Sequence, residues 1–280
     1  MSILSMCRNA VPPNLRARLR GSRLAMSCIK AFVAKEQCHR HPHANFDFYF
    51  DGHRNLGWAL GRLGDCEATY IAIASKVLGR LAPSTIWDVG ANVGFWTLFF
   101  CGLDRSVEHV YCYEPDDDNL RLLRRNVDAN QLRNVVIRAC ALSDQCGTGT
   151  FNRDQLTGAT GSLEGGDSFI ARHFNAATSA TAVPMVTIDG EIAGGVPPPQ
   201  FLKIDVEGHE SSVLRGGLNL LRHGRPTLIM EVTGDKASES MRILKECEYH
   251  LIDAGTGREV TNTGFEILAV PVESVSTLLG

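Results

Sequence analysis

Hydrophobic and polar positions along this chain follow two periods, and from about residue 66 the two periods take turns. "CEATYIAIASKVLGRL" (66–81) sets apolar side chains three and four apart, the spacing of an amphipathic helix, and Pro83 stops it. "STIWDVG" (84–90) is a short apolar run closed by glycine and predicts a buried strand; "NVGFWTLFFCGL" (92–103) predicts an apolar helix behind it. A strand "HVYCYEP" (109–115), a helix "DDNLRLLRRNVDANQL" (117–132) with acids in its first turn, and a strand "NVVIRACAL" (134–142) continue the series. It resumes with "QFLKIDVEG" (200–208) as strand, 209–224 as helix, "PTLIMEV" (226–232) as strand and 236–249 as helix. "HLIDA" (250–254) and "FEILAVPV" (265–272) have only a glycine-containing turn between them, so they predict an antiparallel hairpin at one edge. Repeated strand–helix units predict an α/β fold, with a mostly parallel sheet covered by helices on both faces.

Two stretches break the alternation. Residues 143–180 are rich in Gly, Ser, Thr and Asn, which predicts a hairpin and then a substrate-side loop over about 154–180. "VPMVTID" (183–189) reads as a further short strand and "GGVPPP" (194–199) as a linker. Ahead of residue 66, "FDFYF" (46–50) alternates like a strand. The expected organisation is an N-terminal extension over 1–65 and one main domain over 66–280.

Charge adds a second asymmetry. The 280 residues carry a net charge of −3, which argues against a dedicated nucleic-acid binder. Residues 1–40 alone hold eight Lys or Arg and one acid, Glu36. Such a lead can rest weakly on an anionic membrane surface, or it can be a solvated terminus. No stretch has the length of a membrane span, and no compact apolar block suggests a signal peptide. Nine cysteines are scattered without a C-x-x-C, as expected of reduced thiols in a cytoplasmic protein.

Candidate chemistry begins at "DVGANVG" (88–94), between the first strand and helix of the alternation. A turn there aims backbone N–H groups and a helix N-terminus at a ligand, and Gly90 and Gly94, with Asn92 between them, permit close approach. A dinucleotide fold would carry a third glycine. Asp88 before the first glycine fits instead a nucleoside methyl donor, whose ammonium group such an acid meets. A tight turn with no ligand is the plain alternative. Glu114 ends the neighbouring strand twenty-odd residues on, where a carboxylate can accept both ribose hydroxyls; taken alone it is a solvated acid.

These stretches, with "YCYEPDDDNLRLLRRNV", "ALSD" (Ala141 to Asp144), "VTID" (186–189) and above all "KIDVEGHESSVLRG" (203–216), resemble the FkbM-type family of S-adenosylmethionine-dependent methyltransferases between Ile86 and Val232. The resemblance implies a class I, Rossmann-like sheet of seven strands with an antiparallel last strand. It implies S-adenosylmethionine as cofactor, held by Asp88, Gly90, Asn92, Gly94 and Glu114, with Ala141, Leu142 and Ser143 beside the adenine. It also implies O-methylation of sugar or natural-product hydroxyls.

"FLKIDVEGHE" (201–210) puts charge on what is otherwise a core strand. Alternation would set Lys203, Asp205 and Glu207 on one side, with the later charges at the strand's carboxyl end, where open α/β sheets bind ligands. Gly208 would then turn the chain so that His209 and Glu210 enter the next helix. Asp205 and His209 are the candidate bases, with Glu207 and Glu231 behind them. Plainer roles stay open: Lys203 can pair with Asp205 or Glu207, Glu210 can be a helix-start acid, His209 an exposed first-turn residue, and Glu231 an ion-pair partner. Asp, Glu and His at this spacing can hold Mg²⁺, but no second cluster is present and no metal is expected. The expected activity is methyl transfer to a hydroxyl of a small molecule or glycan. Methylation of nitrogen or of a macromolecule, a nicotinamide-dependent oxidoreductase and a silent binding domain are the rivals.

Overall fold

In the computed structural model, residues 27–28, 30–55, 58–59, 63, 67–103, 107–154, 161–163, 178–232, 237–260 and 266–280 are described. The chain begins with an antiparallel hairpin, β1 (Glu36–Arg40) and β2 (Asp47–Asp51). Helix α1 (Ala68–Leu81) follows and buries Tyr70, Ile71, Ala74, Val77 and Leu78, one stripe of the predicted amphipathic pattern. Then come β3 (Thr85–Val89), α2 (Phe95–Gly102), β4 (His109–Tyr113), α3 (Asp117–Ala129), β5 (Val135–Arg138) and β6 (Ala141–Leu142). Helix α3 starts where expected because the Asp116 carboxylate accepts from the Asp118 and Asn119 N–H groups. After β7 (Gly147–Asp154), β8 (Gly161–Leu163), β9 (Thr178–Val186) and α4 (Ile188–Ala193), the alternation resumes with β10 (Phe201–Ile204), α5 (Glu210–Arg215), β11 (Thr227–Glu231) and α6 (Ala237–Glu246). Strands β12 (Tyr249–Asp253) and β13 (Glu266–Pro271) and helix α7 (Val275–Leu279) complete the chain.

The seven-stranded sheet has the order β12-β13-β11-β10-β3-β4-β5. Only β13 runs antiparallel to its neighbours. The last two strands do form the expected hairpin, but β13 inserts beside β11 and leaves β12 at the edge. All of its inner positions are buried, Ile267 to Val270, which is why it takes the inside place. Side chains of each central strand feed two cores, as a doubly covered sheet requires. Ile86 and Phe201 join α1, α2 and α3 on one face. Trp87, Val89, Leu202 and Ile204 join α5 and α6 on the other. This is the α/β, class I arrangement.

The middle of the chain is more regular than its composition suggests. Its strands form a second sheet, β6-β9-β7-β8. Strand β9 begins five residues before the expected 183 and stops at Val186, because Thr187 caps α4 by accepting from the Gly190 N–H. Most of the expected substrate-side loop, 155–160 and 164–177, lies outside the described residues.

The N-terminal hairpin is tied to the main domain. Phe48 and Phe50 are buried in the same core as α1 and α2. Asn126 on α3 accepts from the Tyr49 N–H and donates to the Tyr49 carbonyl, and Asn130 does the same for Asp47. The boundary expected at residue 65 therefore runs through one continuous core. The basic lead over 1–26 lies outside the described residues, and among those described no helix is long and apolar enough to cross a membrane.

Candidate active site

Three turns at the carboxyl ends of β3, β4 and β10 meet around one cleft. The first is 88–94. Gly90 (φ +74°) carries the chain so close to β10 that a Cβ there would lie 1.9 Å from the Asp205 carbonyl oxygen. Asn92 is also left-handed (φ 53°), a conformation Asn tolerates better than most residues. Gly94 (φ +93°) faces away from the cleft, against Leu123 of α3.

The second turn follows β4. Glu114 is almost fully buried. Its Oε2 accepts from the Asn92 N–H at 2.8 Å; its Oε1 accepts from the Asp116 N–H at 2.9 Å and from Asn119 Nδ2 at 3.3 Å. Burial pushes the carboxyl up to about 7 against the pull of these donors. Glu114 thus fastens the glycine turn to the head of α3 and lines the cleft. Arg153 on β7 clamps the same corner through Asp116, and bonds Asp118 at 2.7 Å.

The third turn is 205–209. Strand β10 ends at Ile204, so the alternation expected through Glu207 stops one residue before Asp205. Glu207 (φ 53°) and Gly208 (φ +87°) are both left-handed, and this pair makes the sharp bend. A glutamate in that conformation is sterically costly, a feature that concentrates at functional sites. Glu210 is the brace: its Oε1 accepts from the Gly208 N–H at 2.9 Å and the Val206 N–H at 3.4 Å, and burial pushes its carboxyl up to about 7. His209 lies just inside the surface, with Nε2 3.0 Å from the Ser143 Oγ.

The cleft holds about 630 Å³ of unfilled space, counted out to the solvent at its mouth. Of the sequence-predicted residues, Gly90, Asn92, Glu114, Ala141, Leu142, Asp205, Glu207 and His209 line the cleft. Ser143 stands behind His209. Besides Gly94, two more predicted residues are elsewhere. Asp88 is fully buried beneath the glycine turn, because strand alternation turns it to the α2 face with Ile86. There its Oδ2 accepts from Thr97 Oγ1 at 2.7 Å, and Lys203 Nζ lies 3.5 Å from its Oδ1. Glu231 ends β11, beside the cleft, and its cross-strand partner is Glu266.

Lys203 joins these parts. It is 2% exposed, bonds the Gly90 carbonyl at 3.0 Å and reaches Asp205 Oδ2 at 3.5 Å. Burial works to lower its pKa, but Asp205, Asp88 and Glu67 together hold it above the usual lysine range. The chain hides Phe151, Gly161 and Leu163 from sequence reasoning, yet they line the cleft. Their polar, glycine-rich surroundings give no periodic signal. Glu67 and Tyr70 were equally invisible, one just ahead of α1 and the other on its buried stripe.

Residues 88–251 match the methyltransferase FkbM domain. The hexuronic acid methyltransferase AglP of Haloferax volcanii is 27% identical over 166 residues, which cover 58% of this chain and 62% of that relative. Among solved structures, a methyltransferase FkbM from Methylobacillus flagellatus aligns at 19% identity with a TM-score of 0.44, covering 67% of this chain and 43% of that one. An O-methyltransferase from Bacillus cereus in complex with SAH aligns at 13% identity with a TM-score of 0.40, covering 72% and 80%.

Proposed function

Because the chain belongs to the FkbM methyltransferase family, we propose that it is an S-adenosylmethionine-dependent O-methyltransferase acting on a hydroxyl of a sugar, glycan or natural product. The observation that carries this reading is the cleft between Gly90 and Glu114: a tight turn pressed against Asp205 at Gly90, where no side chain fits, beside a buried carboxylate that lines the cleft. A nucleoside fits such a donor set, with Glu114 accepting from ribose hydroxyls and the apolar Ala141, Leu142 and Phe151 beside the base. The curated relative named for hexuronic acid supports a sugar acceptor.

S-adenosylmethionine, once bound, supplies a methyl group on a positively charged sulfur. The chain's own work is to align an acceptor oxygen and take its proton. Asp205 and His209 stand at the rim where that oxygen would come, and Ser143 fixes the imidazole. Lys203 holds Asp205 and the glycine turn in one unit, so the acceptor side and the cofactor side cannot shift independently. Asp88 acts through that lysine, from below. The proposed setting is the cytoplasm, consistent with unbridged cysteines at the described positions.

The test is methyl transfer from labelled S-adenosylmethionine to a panel of nucleotide sugars, glycans and polyketides. Label on an acceptor oxygen supports the reading; label on nitrogen or carbon would replace it with another methyl transfer.

A further inference from the structure

Beside the cofactor cleft, a row of acids runs along the ends of the strands. The register sets Ile204 beside Met230, so Asp205 and Glu231 follow side by side, and Glu231 is directly opposite Glu266 across β11 and β13. Directly opposed like charges destabilise a sheet. Glu67, just ahead of α1, approaches the same place, its carboxylate accepting from the Trp96 indole N–H. Among the described residues, the cation beside this row is Lys203, which is shared between Asp205 of the row and Asp88 and the Gly90 carbonyl below it.

A second observation points to a ligand. The Tyr70 hydroxyl is buried (3% exposed) and has no hydrogen-bond partner among the described residues. Its charged neighbours are the same acids: Asp205, Glu231, Glu266 and Glu67. An orphaned hydroxyl costs stability unless something met at this place completes it. The four acids themselves are only partly buried, so the row is open to a ligand. Burial first, and then Asp205 and the other acids, raise the carboxyls of Glu231 and Glu67, and Lys203 offsets this only in part.

We propose that this wall, Glu67, Tyr70, Glu231 and Glu266, is the acceptor subsite, and that it takes the ammonium group of an amino-bearing polyhydroxylated acceptor such as an amino sugar or aminocyclitol. This rests on the methyl-transfer reading and narrows its acceptor. A cation would compensate the opposed Glu231 and Glu266, its N–H groups would satisfy the carboxylates, and Tyr70 would complete an adjacent hydroxyl. A hexuronate would bring a further negative charge to the row. The subsite is distinct from the cofactor cradle: β13 is three strands from β3, about 14 Å at the usual spacing.

The experiment titrates kanamycin, trehalose and glucuronate by calorimetry into the full chain saturated with S-adenosylhomocysteine. Kanamycin is expected to bind saturably, trehalose more weakly and glucuronate not at all. Glu266→Gln should weaken kanamycin roughly tenfold, the usual effect of losing a hydrogen bond to a charged group. Tyr70→Phe should weaken it by a smaller factor. Neither change should alter S-adenosylhomocysteine affinity, and Asp128→Asn, an exposed acid on α3, should leave kanamycin binding unchanged. Absence of kanamycin binding, equal binding of glucuronate, displacement of S-adenosylhomocysteine by kanamycin, or an equal loss in Asp128→Asn would overturn the proposal. Failure of the wild type to bind S-adenosylhomocysteine would instead strike the cofactor reading itself.

Discussion

Replacing Glu114 by Gln changes one atom of the carboxylate and leaves its shape, yet it cannot be neutral here. Three donors converge on the two oxygens, at 2.8, 2.9 and 3.3 Å. A glutamine must turn its NH₂ toward one side. Placed at Oε2 it meets the Asn92 N–H; placed at Oε1 it meets the Asp116 N–H and the Asn119 amide. Either way a buried donor loses its acceptor, at a cost of about 1–3 kcal/mol in stability. The cofactor loses a charged acceptor as well, about 1.5–3 kcal/mol, or roughly 10- to 150-fold in affinity. The wild type should also show a pH signature. Its Glu114 carboxyl is pushed up to about 7, against about 4.5 in the unfolded chain. The stability it contributes is therefore complete below about pH 4.5 and is lost as pH rises through about 7. Ribose hydroxyls donate to the ionised form, so affinity for S-adenosylhomocysteine should rise as pH climbs through about 7 and then level off. Calorimetric titration at pH 6, 7 and 8 of both proteins reads all of this. A folded Glu114→Gln variant with unchanged affinity at pH 8 would refute the ribose assignment, and a pH-independent wild type would refute the buried-carboxyl account.

Lys203→Met should destabilise the fold by about 3–5 kcal/mol in denaturant titration, because it leaves the buried Asp88 carboxylate without its cation; a change below 1 kcal/mol would show that Asp88 is neutral in the native state. Phe48→Ala should cost about 3–5 kcal/mol in the same assay if the N-terminal hairpin is core, and almost nothing if it is a detached leader. Asp205→Asn should lower turnover on the true acceptor by a factor on the order of 10²–10⁴ if its carboxylate is the base, while keeping cofactor affinity within a few-fold. His209→Ala compared in the same assay decides between the two candidates, and near-normal turnover in both would leave the proton to water.

The alternation of strand and helix was legible because each central strand is buried on both faces, and such runs stand out in any order of chain. Gly90, Gly94 and Gly208 were legible because their left-handed conformations favour glycine, and Glu114 because it ends the strand next to that turn. Asp88 was placed wrongly in space for a local reason: a carboxylate next to a glycine turn can face the cleft or the core, and only the position of Lys203 on the neighbouring strand decides which. The opposed Glu231 and Glu266 depend on the register of β13 beside β11, a pairing between distant segments that no local pattern encodes. The second sheet was hidden because its strands hold Gly, Thr and Ala, and its small core rests on Phe151, Leu163 and Val183 with few partners. The hairpin's membership of the core was hidden likewise, since Asn126 and Asn130, the residues that tie it down, look like ordinary helix-surface amides.

The central claim is that the cleft between Gly90 and Glu114 is built for S-adenosylmethionine. Calorimetric titration of the full chain with S-adenosylhomocysteine, and separately with NADH, tests it most directly. The account predicts saturable heat with S-adenosylhomocysteine, weakened in Glu114→Gln, and none with NADH. Saturable NADH binding with no response to S-adenosylhomocysteine would contradict it.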